Sequence, residues 1–84
     1  MLKILYFAAL RERMGCNEED LTPPPSVTTV AQLITHLRDR DPAGTAAFAQ
    51  PSLVRAAVYQ EFANLQTVIR ENDEIAFFPP VTGG

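Results

Sequence analysis

One cysteine and one histidine occur in the 84 residues, and no apolar run approaches the length of a membrane span. Cys16 has no second thiol to pair with, so no internal disulfide forms and nothing points to an oxidising compartment. The cytoplasm is the default expectation. His36 has neither a second histidine nor a nucleophile beside it, and no metal-site spacing exists, which argues for a solvated residue rather than a catalyst or ligand. The chain also has no basic stripe. With 7 Lys and Arg against 10 Asp and Glu its formal net charge is -3. This speaks against nucleic acid as a partner and makes a charge-steered protein partner more basic than acidic. Membrane insertion needs roughly 20 consecutive apolar residues. Met1 to Phe7 passes straight into strand-like alternation, without the apolar core and small-residue cleavage site of a signal peptide. Neither membrane nor secretion is expected.

What is present is a 46 % hydrophobic chain with both charge signs interspersed, the composition of a compact domain. At this size a core buries only about 60 to 65 % of the unfolded surface. One main helix on one sheet nearly exhausts it. Residues 2 to 8 alternate, with Leu2, Ile4 and Tyr6 on one face and Lys3, Leu5 and Phe7 on the other. A short helical turn over Ala9 to Met14 follows, with Gly15 placed to end it. Cys16 to Asp20 reads as a polar link. Leu21 to Val27 is predicted as a second strand, confined to an edge by Pro23, Pro24 and Pro25, which lack amide donors.

The clearest helix starts at Thr29, where Gln32 sits at capping-box spacing and Val30, Leu33, Ile34 and Leu37 form one apolar stripe. Asp41-Pro42 closes it, since the residue before proline avoids the α region. Ala43 to Ser52 is predicted as a loop anchored by Phe48. Leu53 to Tyr59 reads as a third strand, and Gln60 to Leu65 turns back as a short one. Thr67 to Ile69 fits either a helical turn or extended chain. Arg70 to Asp73 is a turn with Asn72 suited to the left-handed conformation, and Glu74 to Phe78 is the last strand.

Strands, helix, then strands, with the terminal strands parallel in mid-sheet, amount to an α+β ubiquitin-like β-grasp: a mixed sheet of four to five strands on one main helix. Residues 1–78 form the globular domain and residues 79–84 an extended tail. A single helix covers a single sheet face. Ile75 and Phe77 share the face that meets Leu33 and Leu37, so Phe78 points outward, as does Phe7. Exposed aromatics of this kind mark a protein interface, with Arg11 as a candidate rim contact.

The tail, Pro79-Pro80-Val81-Thr82-Gly83-Gly84, admits two readings. It is a frayed end, as most terminal residues are, or an arm that carries a carboxylate down a channel too narrow for side chains. Six residues extend about 20 Å at roughly 3.3 to 3.6 Å each. Pro79 and Pro80 reduce the conformations lost when such an arm is threaded.

Lys3 to Ala8 with Leu10-Arg11-Glu12, Thr29-Val30, and above all Asp73 to Gly84 resemble the small-subunit family of molybdopterin synthase, the MoaD-type ubiquitin-like sulfur carriers. The resemblance spans essentially the whole chain. It departs at Tyr59, where asparagine is expected, and at Asn72, which replaces a turn glycine. It implies that Gly84 is converted to an acyl-adenylate with ATP by an adenylating enzyme of the MoeB type, related to ubiquitin-activating enzymes. A sulfur donor protein then displaces AMP to leave a thiocarboxylate. The sulfur would attack cyclic pyranopterin monophosphate on the large synthase subunit, in a heterotetramer, for molybdenum cofactor synthesis. The chain itself would bind no cofactor and supply no catalytic machinery. A thiamine-type sulfur carrier, a ubiquitin-like modifier and a plain β-grasp interaction module remain alternatives. Cys16, followed by Glu18, Glu19 and Asp20, is expected to have a raised pKa and no sulfur-carrying role.

Overall fold

The computed structural model describes residues 1–80. Its elements are β1 (Leu2–Tyr6), α1 (Ala9–Met14), β2 (Glu18–Leu21), α2 (Val30–Arg40), α3 (Pro42–Ala47), a 3-10 turn (Pro51–Leu53), β3 (Arg55–Val58), β4 (Glu61–Ala63) and β5 (Glu74–Phe78). Five strands form one mixed sheet in the order β2-β1-β5-β3-β4. β5 is the middle strand, parallel to β1 and antiparallel to β3. This is the β-grasp arrangement expected from the sequence.

The core follows the two sequence periods. Leu2, Ile4 and Tyr6 from β1 and Ile75 and Phe77 from β5 meet Val30, Leu33, Ile34 and Leu37 of α2, all of them buried. Phe77 stacks against Tyr6 at 6.4 Å between ring centres and takes the edge of Phe48 at 5.2 Å. Such aromatic pairs add about 0.5–1.5 kcal/mol each beyond the area they bury. The start of α2 is closed by a capping box: Thr29 Oγ1 accepts from the Gln32 amide at 3.3 Å, and Gln32 Oε1 accepts from the Thr29 amide at 3.1 Å. The Thr28 amide and hydroxyl donate to the same Oε1, at 2.7 and 2.9 Å.

Two expectations are corrected, and one left open is decided. The second strand is not Leu21 to Val27 but Glu18–Leu21, in the segment read as a polar link, pairing with β1 from Leu5↔Glu18 to Leu2↔Leu21. The three prolines lie beyond it, where missing donors cost no ladder bonds. The segment Ala43 to Ser52 is not a loop: Pro42 opens α3, with the Asp41 carboxylate accepting from the Gly44 amide at 2.8 Å. Asp-Pro thus ends one helix and starts the next, proline being preorganised for the first helical position. Phe48 is fully buried as anticipated, but at the end of this helix. Thr67 to Ile69 takes the extended option, with Val68 bridging to Thr29.

A polar chain binds the helix pair to the sheet edge. Tyr6 Oη donates to Glu19 Oε2 at 2.8 Å, and Arg40 grips the same carboxylate with both guanidinium ends, at 2.6 and 3.0 Å. Arg40 Nε also reaches Asp41 at 3.2 Å. The two-pronged arginine bond holds the Glu19 carboxyl below its ordinary pKa, with the Tyr6 hydroxyl adding to the effect. Burial, reinforced by Glu19, drives the Tyr6 phenol upward.

Candidate functional site

β5 delivers the chain to Pro79 from the centre of the sheet, where β1 and β3 hold it on both sides. Alternation along β5 sends Ile75 and Phe77 into the core and leaves Ala76 and Phe78 on the opposite face. The register lines up Leu5, Ala76, Ala57 and Phe62 across that face, with Phe78 opposite Arg55 one step further along. The result is an apolar patch where the chain leaves the sheet at Pro79.

Phe7 follows β1, its amide bonded to the Phe77 carbonyl at 3.1 Å, and its ring is 47 % exposed. Phe78 differs from its expectation. It is half-buried, and its ring has an intramolecular neighbour, Phe62, at 5.9 Å. Phe62 is 85 % exposed, the most open large apolar side chain among the described residues. An aromatic pair that spans β3, with one ring standing nearly free, is an exposed feature of the kind buried at interfaces. Phe62 carries no alternation signal in the sequence, because Glu61–Ala63 is a three-residue strand, too short to show one. The signal it does carry is a lone phenylalanine directly after Gln60-Glu61.

Arg11 is exposed on α1 and makes no ion pair among the described residues. Pro79 and Pro80 are half-buried. Val81, Thr82, Gly83 and Gly84 lie outside the described residues. Pro79 and Pro80 also line an open groove of about 580 Å³, with Leu10, Ala47 and Val54 among its buried lining.

Cys16 is half-buried and unpaired in any disulfide. Its thiol is pushed up chiefly by burial and secondarily by the Glu19 charge. The direction is the expected one, and the leading cause is burial rather than the acidic run. Among the described residues no cluster of His, Cys, Asp and Glu is arranged to hold a metal ion. No helix there is long and apolar enough to cross a membrane.

A model described as the ThiS family matches residues 4–84. The chain is 34 % identical over 85 residues to the molybdopterin synthase sulfur carrier subunit of Escherichia coli (strain K12), covering 100 % of both chains. It is 36 % identical over 88 residues to the protein of the same name from Mycobacterium tuberculosis (strain ATCC 25618 / H37Rv), covering 99 % of this chain and 96 % of that one. Among solved structures, the putative molybdopterin converting factor, subunit 1, from Pyrococcus furiosus superposes with a TM-score of 0.77 at 25 % identity, over 95 % of this chain and 97 % of that one.

Proposed function

The chain belongs to the ThiS family, and on that premise we propose that it is the sulfur-carrier subunit of molybdopterin synthase, with the Gly84 carboxylate as the group that is loaded and delivered. The observation that carries the reading is the full-length similarity to two sulfur carrier subunits of that synthase. The position of β5 supports it: a strand clamped on both sides gives a tethered reactant a rigid base.

A carboxylate is a poor electrophile. An adenylating partner therefore converts Gly84 to an acyl-adenylate with ATP, expelling pyrophosphate, and a sulfur donor protein displaces AMP to leave the thiocarboxylate. The terminal sulfur then acts as nucleophile toward a pyranopterin held by the large synthase subunit. Gly83 and Gly84 keep the tip slim, while Pro79 and Pro80 restrict its base. Phe7, Phe78 and the Phe62 ring beside it supply apolar surface for the receiving subunit, and Arg11 sits at the rim. The protein acts in the cytoplasm and binds no cofactor of its own.

Intact-mass analysis after incubation with the adenylating enzyme, ATP and a sulfur donor tests this. The expected product is heavier by the difference between one sulfur and one oxygen, and Gly84→Phe abolishes the shift while the fold is retained. Loading of Gly84→Phe at the wild-type rate refutes the role of the tip. Attachment of the chain to lysines of other proteins would favour the modifier alternative.

A further inference from the structure

We propose that the open edge of β4 pairs with the same edge of a second copy of this chain, antiparallel across a two-fold axis at Phe62, joining the two sheets into one. The inference stands apart from the carrier reading. It uses neither the residues after Pro80 nor a partner of another kind.

The first argument is the backbone. β3 and β4 are joined by a two-residue turn, Tyr59 and Gln60, whose positive φ angles of 50 and 68 are those of a type I′ hairpin. In such a hairpin the closing residues, Val58 and Glu61, exchange both hydrogen bonds, and the next pair, Ala57 and Phe62, exchanges none. The amide and carbonyl of Phe62 therefore face outward. β4 is an end strand of the sheet, and neither group has a backbone partner among the described residues. Donor and acceptor lie on one residue, so an identical strand running the opposite way engages both at a single register. A two-fold pair of this kind is closed and needs no third chain.

The second argument is the contrast between the two edges of the sheet. At the opposite end β2 carries Glu18, Glu19 and Asp20, and Pro23, Pro24 and Pro25 follow it. Charges and prolines of this kind keep an edge from pairing with other chains. β4 has only its three-residue length as protection. From Ala56 to Ile69 the one charge is Glu61, in a chain whose net charge of -3 otherwise opposes self-association. Centring the pair on Phe62 sets Glu61 opposite the copy's Ala63, so the two carboxylates do not face each other.

The third argument is what surrounds the edge. Of the seven large apolar side chains exposed among the described residues, four, Tyr59, Phe62, Leu65 and Val68, belong to β4 and the residues beside it. The Ala31 amide donates to the Leu65 carbonyl at 2.9 Å and the Val30 amide to the Thr67 carbonyl at 3.0 Å, so the start of α2 holds this stretch in place. Little ordering is left to be done on pairing. Residues directly opposite in an antiparallel pair have neighbouring side chains, which brings the two Phe62 rings together. A three-residue strand with these flanks makes a small interface, of the class below about 1,200 Å² in total that characterises weak association. A dissociation constant on the order of 100 µM is expected.

The test is sedimentation equilibrium of the full chain from about 20 µM to about 1 mM, a range that brackets that affinity, with amide hydrogen exchange followed by NMR at both ends of it. Wild-type protein is expected to pass from monomer to dimer, and exchange of the Phe62 amide to slow severalfold as it does. Phe62→Lys sets like charges opposite each other at the two-fold axis and is expected to weaken the dimer by about tenfold or more. The ring it replaces is 85 % exposed, and thermal melts check that the variant folds. Should it not fold, the Phe62 amide of the wild-type protein still decides. A chain that stays monomeric at the highest concentration overturns the proposal, as does a dimer that survives Phe62→Lys or leaves the Phe62 amide exchanging at the monomer rate. Protection of that amide only on adding a protein of another kind assigns the edge to that protein and overturns it as well. None of these outcomes bears on the loading of Gly84.

Discussion

Gly44 sits inside α3, and replacing it with alanine sets two effects of opposite sign against each other. On helix propensity alone, Gly→Ala stabilises a helix interior by about 1 kcal/mol. The packing opposes it. A Cβ built on Gly44 falls 1.7 Å from the Leu37 carbonyl oxygen and 2.8 Å from its carbon. Ordinary contact requires about 3.5 Å, so α3 would have to move by almost 2 Å from the end of α2. The obstacle is backbone, which cannot swing aside as a side chain can. The same movement pulls on the Asp41 carboxylate that accepts the Gly44 amide at 2.8 Å, and on the Phe48 amide bonded to the Gly44 carbonyl at 3.0 Å. Phe48 is fully buried against Phe77. Overpacking costs about 1–3 kcal/mol, occasionally more, and two weakened hydrogen bonds add to it. The expected net effect of Gly44→Ala is a loss of at least about 2 kcal/mol, or about 10 °C or more in melting temperature for a domain of this size. Urea unfolding of both proteins, compared at equal m-value, measures it. A midpoint equal to or above that of the wild type would refute the steric argument and leave propensity in charge.

Two further perturbations probe other parts of the fold. The Glu19 pKa is lowered in the folded state by its bond to Arg40. Its stabilisation is therefore complete above the ordinary value of 4.5 and is lost as pH falls through the lower folded value. Glu19→Gln should be less stable than wild type at neutral pH, with the difference shrinking below about pH 4 in urea titrations; a constant gap across that range would contradict the assignment. In the β3–β4 turn, Tyr59 and Gln60 both have positive φ, 50 and 68, the geometry that favours Asn-Gly. The double change Tyr59→Asn, Gln60→Gly removes strain of about 1–2 kcal/mol per residue against one exposed bond from Tyr59 Oη to the Asn72 carbonyl. A melting temperature several degrees higher is expected, and a lower one would show that the tyrosine bond matters more than the strain.

Where one local signal acted alone, the sequence was readable. The Thr29 capping box and its apolar stripe predict α2 correctly, and alternation predicts β1 and β5 together with their inward faces. Asn72 adopts the positive φ expected of it. The sequence is not legible where a residue serves two purposes or where its partners lie far away. Asp41 and Pro42 signal a helix stop, and the same aspartate before proline is also a helix start. Glu18-Glu19-Asp20 looked like a polar link because its strand character comes from the β1 ladder and from Arg40, 21 residues on from Glu19. Strand parity turns Phe7 and Phe78 away from the core; Phe7 is exposed, and Phe78 is half-buried beside Phe62. Phe62 emerged only when the sheet order brought β4 to the same face as β5.

Because β5 is flanked by a neighbour on either side and continues directly into Pro79, tension applied at Pro80 runs along the strand axis. Its ladder bonds to β1 and β3 then share the load in shear, instead of peeling open one after another as at a sheet edge. A pull on the chain at Pro80 would therefore move the domain as one body before freeing the strand.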